Sequence, residues 1–354
     1  SYAAGSLSAA PSVDYVGGLV GRNEGGFQDY PGTVSDSYWD TEATGQDSSD
    51  GGTGLTTAQM TGSEPVEYMD TLAYYDTWAL VDGGYPALAW DADLNAGTPA
   101  DPYEVALPGE LQAMVDNRSA HYELTGDIDA SATSGWDDGA GFDPIGTQSQ
   151  PFDGTFDGNG QTISNLFIDR PSTNSVSLFG ATSGTVTNVS LTDANVTGND
   201  NTGILVGSLT GTVTDSSASG TVTGTTRVGG LVGFADTENA VVMNSSATGH
   251  VTGSSDDVGG LVGDNRGTVT NSSATGNVTA SGDNAGGIVG YNGRTVTKTS
   301  AAGVNVTGSS RVGGLVGYNT GSVKETSAVG VNVTGEYNVG GLIGANDEAN
   351  VTRS

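Results

Sequence analysis

A glycine-bounded apolar stretch returns along this chain at a nearly fixed interval, and that limits the fold more than any other feature. Val312-Gly-Gly-Leu-Val-Gly317-Tyr-Asn319 recurs at 16–23, 258–265, 285–292 and 339–346, and its front half at 202–207 and 228–233. Its closing glycine falls at 180, 207, 233, 263, 290, 317 and 344, in steps of 27, 26, 30, 27, 27 and 27 residues. A period of this size marks a solenoid or array, in which one unit buries its apolar face only against its neighbours.

Each unit has a second half. Val213-Thr-Asp-Ser-Ser-Ala-Ser-Gly220 matches 242–249, 269–276, 296–303 and 323–330, and short runs such as Val304-Asn-Val-Thr307 and Val331-Asn-Val-Thr334 follow. Runs that are brief, β-branched and bounded by glycine read as strands and turns. Alternation puts the valines on one face, and coils stacked about 4.8 Å apart make a continuous apolar column of them. The glycines are expected at corners that need φ > 0. Asn23, Asn265, Asn292, Asn319 and Asn346 lie two residues after a closing glycine. A phosphate-cradling loop would need a helix start next, and a β-type Thr-Val-Thr run is typical there instead. A corner turn with stacked asparagine amides is therefore the reading.

The Gly-Gly-Leu-Val-Gly-x-Asn and Val-x-x-Ser-x-Ala-x-Gly units resemble the GLUG repeat of large bacterial and archaeal surface proteins. The stretch from Ser37-Tyr-Trp-Asp-Thr-Glu42 to Tyr85-Pro-Ala-Leu-Ala-Trp90 resembles segments that close a run of such repeats. The stretch from Asp101-Pro-Tyr-Glu104 to Phe152-Asp-Gly-Thr-Phe-Asp-Gly-Asn-Gly160 resembles segments that open one. The resemblance implies a β-solenoid at the cell surface, in adhesins or surface filaments, and no single activity. The expected fold is all-β: a right-handed parallel β-solenoid of about 27-residue repeats, with a small aromatic-rich closing segment and short helices. Its parts are the end of one solenoid (1–37), the closing segment (38–91), a linker (92–102), the opening of a second solenoid (103–170) and GLUG-like repeats (171–354). Short helices are expected over 57–60, capped by Thr56, and over 108–115, with Leu111 and Met114 inward.

Composition narrows the function. Forty-one acidic and 10 basic side chains leave a formal charge of -31, and only Lys298 and Lys324 are lysines. This disfavours nucleic acid, which needs a basic face, and an anionic membrane surface. No apolar run is long enough to insert directly into a bilayer. Uniform acidity with few lysines points to a haloarchaeon or other halophile, because molar salt screens the self-repulsion. Cysteine is absent, so thiol catalysis and Cys-based zinc sites are excluded. Nine Asn-x-Ser/Thr sequons are candidate N-glycosylation sites: Asn117, Asn188, Asn195, Asn244, Asn271, Asn277, Asn305, Asn332 and Asn350.

Candidate chemistry is thin. Paired carboxylates at Asp127 and Asp129, Asp137 and Asp138, and Asp153 and Asp157 are dispersed, with no basic partner recurring beside them. His121 and His250 stand too far apart for a triad or zinc site. No catalytic, cofactor-binding or metal residue is assigned; Asp137, Asp138 and Asp143 are the first places to look for Ca²⁺. The reading is an extracellular, non-enzymatic structural protein of the cell surface, a filament subunit stacking head to tail or an adhesin stalk. The alternative is a carbohydrate-binding module using Trp39, Trp78 and Trp90, and more remotely a polysaccharide-degrading enzyme. Expected partners are other copies end to end, and cell-surface glycans. The chain stops at Val351-Thr-Arg-Ser354 and starts at Ser1-Tyr-Ala-Ala-Gly5, two halves of one signature. Copies joined end to end would continue the period, as would a piece cut from a longer tandem protein.

Overall fold

In an extended Thr-Val-Thr triplet only the valine turns inward. In the computed structural model Val186, Val213, Val242, Val269, Val296 and Val323 stack one above another, all fully buried. The structure describes residues 1–353 except 8–14, 24–32, 63, 73, 75–77, 82–83 and 89–96. The chain divides into two compact units, 1–94 with 109–117, and 95–108 with 118 onward.

The second unit is a parallel β-solenoid. Its coils feed four sheets of 11, 7, 10 and 5 strands. One coil runs through the strands Val258–Gly259, Val262–Asn265, Thr268–Thr270 and Ser273–Ala280. Each pairs in parallel with its equivalent one coil on: Val258 opposite Ala285, Val262 opposite Val289, Ala274 opposite Ala301. Leu231, Leu261, Ile288 and Leu315 fill the interior beside the valines. The signature serine makes a ladder at an inner corner. The amides of Val189, Ser216 and Ser245 donate to the Oγ of Ser216, Ser245 and Ser272 at 3.2, 3.3 and 3.1 Å. Each of those hydroxyls donates in turn to the carbonyl two residues before it, so buried polar atoms find partners without water.

The motif glycines correct the expectation placed on them. In Gly-Gly-Leu-Val-Gly none has a left-handed φ. They are small because the Val-Gly strand of one coil lies backbone to backbone on the next coil's Val-Gly-x-Asn strand. A Cβ on Gly263 would sit 2.6 Å from Arg227 C, and one on Gly317 2.6 Å from Asn284 C. Positive φ is found instead at the signature glycines Gly220, Gly249, Gly276, Gly303 and Gly330, as expected of corners, and left-handed corners are also formed by two columns of other residues. One is Asn188, Asp215, Asn244, Asn271, Lys298, Glu325 and Arg353; the other is Ser175, Asn201, Arg227, Asp257, Asn284, Arg311 and Asn338. This conformation costs an L-residue about 1–2 kcal/mol. Ladder bonds on the next coil hold it in place, as where Asn244 N donates to Thr270 O at 3.1 Å.

Both irregular steps have local causes. In the strand Ser190–Thr197 the register shifts by one between Leu191 and Ala194, with Asp193 left-handed at φ 54°. The extra residue of that β-bulge belongs to the 27-residue coil from Gly180 to Gly207; the partner strand Ser217–Gly224 lacks it, which leaves the next step at 26. The step of 30 arises at the corner 236–240, which loops outward between Val232–Ala235 and Val241–Met243. The strands on either side keep full register.

The solenoid opens with Tyr103–Val105 and His121–Leu124. Its first coils are packed with aromatic rings, Phe152 to Phe179 at 5.0 Å and Phe156 to Phe179 at 5.3 Å. The helix Pro108–Ala113 forms as expected, and Leu111 and Met114 are fully buried. The first unit has a three-stranded parallel sheet of Tyr2–Ala3, Tyr38–Asp40 and Thr53–Leu55. Asp40 Oδ1 caps the helix Thr41–Thr44, accepting from the amides of Glu42 and Ala43 at 2.8 Å. The turn Ala58–Met60 is a 3-10 helix, with Gln59 N donating to Thr56 Oγ1 and Thr56 N to Gln59 Oε1, a capping box.

Candidate functional site

Amides two residues after the closing glycine stack inside the solenoid. Asn265 Nδ2 donates to Asn292 Oδ1 at 2.8 Å, Asn292 Nδ2 to Asn319 Oδ1 at 2.7 Å, and Asn319 Nδ2 to Asn346 Oδ1 at 2.6 Å. The Oδ1 atoms of Asn265, Asn292 and Asn319 also accept the amide two residues on, from Gly267, Arg294 and Gly321. These donors and acceptors are spent on one another, so the Gly-x-Asn element is a corner clamp. At Asn23 the backbone N–H donates to Asp50 Oδ2 at 3.0 Å.

The residue between glycine and asparagine faces outward, and this column gathers a cluster that the sequence reading missed. Phe234 lies between two guanidinium groups, Arg227 and Arg266, at 4.6 and 4.8 Å from its ring centre. Both arginines reach Asp264 Oδ2, at 3.5 and 3.1 Å. Burial pushes the Asp264 carboxyl up to about 6, against the pull of the two arginines. Tyr291 and Tyr318 continue the column, and Arg311 covers the Tyr318 ring at 4.7 Å. The acids Glu238 and Asp283 pair with Arg294 and Arg311. The strip is a charge-compensated surface cluster, and its readable signal is the chain's scarce arginines recurring at coil spacing.

The predicted acidic loop holds its own cation. Arg170 Nη2 lies 2.8 Å from Asp137 Oδ2, Arg170 Nη1 lies 3.6 Å from Asp143 Oδ1, and the guanidinium also donates to the carbonyls of Gly141 and Phe142. This corrects the expectation that these acids lack a basic neighbour. Among the described residues no three acid, histidine or cysteine groups converge as a metal would need. Asp127, Asp129 and Asp157 are occupied locally, accepting from Thr162 N, Asn165 Nδ2 and Asn188 Nδ2. His121 Nδ1 contacts Thr155 Oγ1 at 2.6 Å, and His250 is exposed on the repeat surface. Beside the acidic loop a cleft of about 450 Å³ opens between residues 143–149 and 173–175, lined by Asp143, Gln148, Ser149, Thr173 and Asn174. The buried hydroxyl of Ser175 lines it too and has no protein partner.

Of the predicted tryptophans, Trp39 is 6% exposed, packed within the first unit. The Trp78 ring lies tilted against Tyr2 at 5.7 Å, and Trp90 lies outside the described residues. A buried Trp39 offers no face to a sugar ring. Of the sequon asparagines, eight are exposed and Asn117 is half-buried. Asn195, Asn277, Asn305 and Asn332 share one outward column with Thr221 and His250. Asn188, Asn244 and Asn271 share the left-handed corner, and Asn350 starts the strand Asn350–Thr352.

A stack of coils with in-register parallel ladders, inward valines and outward polar columns defines a parallel β-solenoid. The family model described as the GLUG motif matches residues 224–252 and 254–279 of this chain. It is 47% identical over 162 residues to Halomucin of Haloquadratum walsbyi, covering 43% of this chain and 2% of that protein. It is 37% identical over 123 residues to a candidate Gly-rich membrane protein of Evansella cellulosilytica, covering 32% of this chain and 14% of that one. The chain thus spans only a small part of either relative. Among solved structures it is similar to a candidate immunoglobulin A1 protease from Bacteroides ovatus. The TM-score is 0.55 at 21% identity, over 71% of this chain and 87% of that one, a likeness of fold.

Proposed function

We propose that the chain is a non-catalytic structural segment of a surface-associated repeat protein of a salt-adapted microbe, working as a stiff spacer that lengthens coil upon coil. In this reading residues 38–91 close one solenoid, and residues 103–170 open the next. The observation that carries it is the unbroken stacking: every sheet of the solenoid pairs each coil with its neighbour in parallel register. The ladders consume the polar groups that chemistry would need. The charge of -31 and the likeness to Halomucin support salt adaptation and a surface location. Val339 is 47% and Val351 39% exposed, where Val312 and Val323 one coil earlier are 0%. A further coil in register would cover them, from the same polypeptide or from another copy. Electron microscopy of the purified protein in molar salt tests this. Fibres or long rods with an axial repeat set by the solenoid length support head-to-tail stacking of copies; separate particles at all concentrations refute that stacking, and particles with no rigid solenoid-length body refute the spacer.

The cleft beside Ser175 favours a second reading, a carbohydrate-binding module. Its amide, carboxylate and hydroxyl groups suit the alternating donors and acceptors of a sugar. Binding on a glycan array that is lost in Asp143→Ala would support it; no binding on the array would remove it.

A further inference from the structure

Seven of the nine sequon asparagines fall on two columns bordering one sheet. One is the row Asn195, Asn277, Asn305 and Asn332 on its outer face; the other is the corner of Asn188, Asn244 and Asn271 where the chain enters that sheet. Strand alternation explains the first row. In Asn-Val-Thr the valine is inside (Val196, Val278 and Val306 are buried), so acceptor asparagine and threonine both project outward. The sheets built from Gly-Gly-Leu-Val-Gly carry no sequon. One side of the solenoid can therefore carry sugar while the opposite side stays bare.

The spacing within a column adds a restriction. Asn305 Nδ2 donates to Asn277 Oδ1 at 2.8 Å, and Asn332 Nδ2 donates to Asn305 Oδ1 at 2.8 Å. At the corner, Asn271 Nδ2 donates to Asn244 Oδ1 at 3.3 Å. Successive acceptors stand one coil apart, about 4.8 Å. A hydrated, branched oligosaccharide is broader than that. Asn195 has Thr221, not an asparagine, as its neighbour on the next coil. Asn277 and Asn332 stand two coils apart, with Asn305 between them.

We propose that these two columns are N-glycosylation acceptors, and that neighbouring coils do not carry glycans together, so that sugars occupy alternate coils along one side of the solenoid. The reaction forms a bond from sugar C1 to the asparagine Nδ2 and breaks the C1–O bond to the phosphate of a lipid-phosphate-linked oligosaccharide. The Nδ2 proton leaves to a base of the transferase. Each amide nitrogen has two hydrogens; one is lost as the bond to sugar C1 forms, and the other can stay in the ladder. The pattern does not depend on whether copies stack.

The test is quantitative glycopeptide mass spectrometry on the protein purified from the cells that naturally make it. Cleavage after Arg266, Arg294, Lys298, Arg311 and Lys324 separates Asn277, Asn305 and Asn332 onto different peptides. Occupancy is expected to be high at Asn195, Asn277 and Asn332 and several-fold lower at Asn305. In the double variant Asn277→Gln/Asn332→Gln, occupancy at Asn305 is expected to rise to the level its neighbours had. Fractional occupancies of Asn277 and Asn305 summing to more than one would require both on one molecule and would overturn the exclusion. So would an Asn305 occupancy unchanged in the double variant. Absence of sugar at all seven positions would overturn the whole proposal.

Discussion

Replacing Asn292 by alanine breaks the amide ladder at its middle. The side chain is fully buried, accepts from Asn265 Nδ2 and the Arg294 amide, and donates to Asn319 Oδ1. Two of those partners keep other bonds: Asn265 Nδ2 also reaches Thr295 O at 3.1 Å, and Asn319 Oδ1 also accepts Gly321 N at 3.3 Å. The Arg294 amide loses its asparagine acceptor. Leaving a buried polar group unsatisfied costs about 1–3 kcal/mol, so a loss of about 1–3 kcal/mol is expected, carried by the Arg294 amide. Replacing Asn265, Asn292 and Asn319 all by leucine is the informative comparison, because Leu209 occupies the same column in an earlier coil. Removing both partners of a hydrogen bond together can be nearly neutral. The triple variant should therefore lose less per substitution than the single one. Urea unfolding followed by circular dichroism at constant molar salt measures both. A loss below about 0.5 kcal/mol for Asn292→Ala, the range of ordinary surface changes, would refute the ladder argument. So would a triple variant at least three times as destabilised as the single.

Three other expectations follow from the same geometry. Gly290→Ala should cost about 3 kcal/mol or more, since its Cβ would stand 2.5 Å from Asp257 C and 2.8 Å from Asn284 O; Gly303→Ala, left-handed but with open space around it, should cost about 1–2 kcal/mol, and equal unfolding midpoints would contradict this. The folded Asp264 carboxyl binds its proton more tightly than the unfolded one, about 6 against 3.8. Its contribution to stability therefore grows as pH falls from 6 toward 3.8 and is lost as pH rises through 6, by up to about 3 kcal/mol; the stability difference between wild type and Asp264→Asn should vary with pH across that window, and a flat difference would refute it. With a charge of -31, the melting temperature should climb as salt rises from 0.1 M to 1 M and the Debye length shrinks from about 10 to about 3 Å; a salt-independent melting curve would count against salt adaptation.

The coil was legible in the sequence because its determinants repeat in phase. The valine of Thr-Val-Thr, the signature serine and the Gly-x-Asn amide each occupy one column, and a single letter at a fixed interval announces that column. The reason for the motif glycines was not legible: a left-handed corner and a backbone without room for a Cβ both select glycine. Corners that hold Lys298, Glu325 and Arg311 betray nothing by composition. The Arg227–Phe234–Asp264–Arg266 cluster was hidden because its members come from successive coils and, apart from the arginines, no letter repeats. Arg170 meets Asp137 and Asp143 across about thirty residues of non-repeating sequence, where no period fixes the partner. Trp39 lies in a segment without phase, so its burial could not be read from spacing.

The outward loop at 236–240 shows how the solenoid treats extra length. Three residues beyond the usual count leave the chain at a corner, and the strands on both sides stay in register. An insertion here is decoration and not a frame error. Longer peptides grafted between Asp236 and Ala240 could hang from the side of the rod while the coils above and below keep their contacts. Gene duplications could add whole coils by the same rule, so a lineage can change the reach of the protein and what it displays independently.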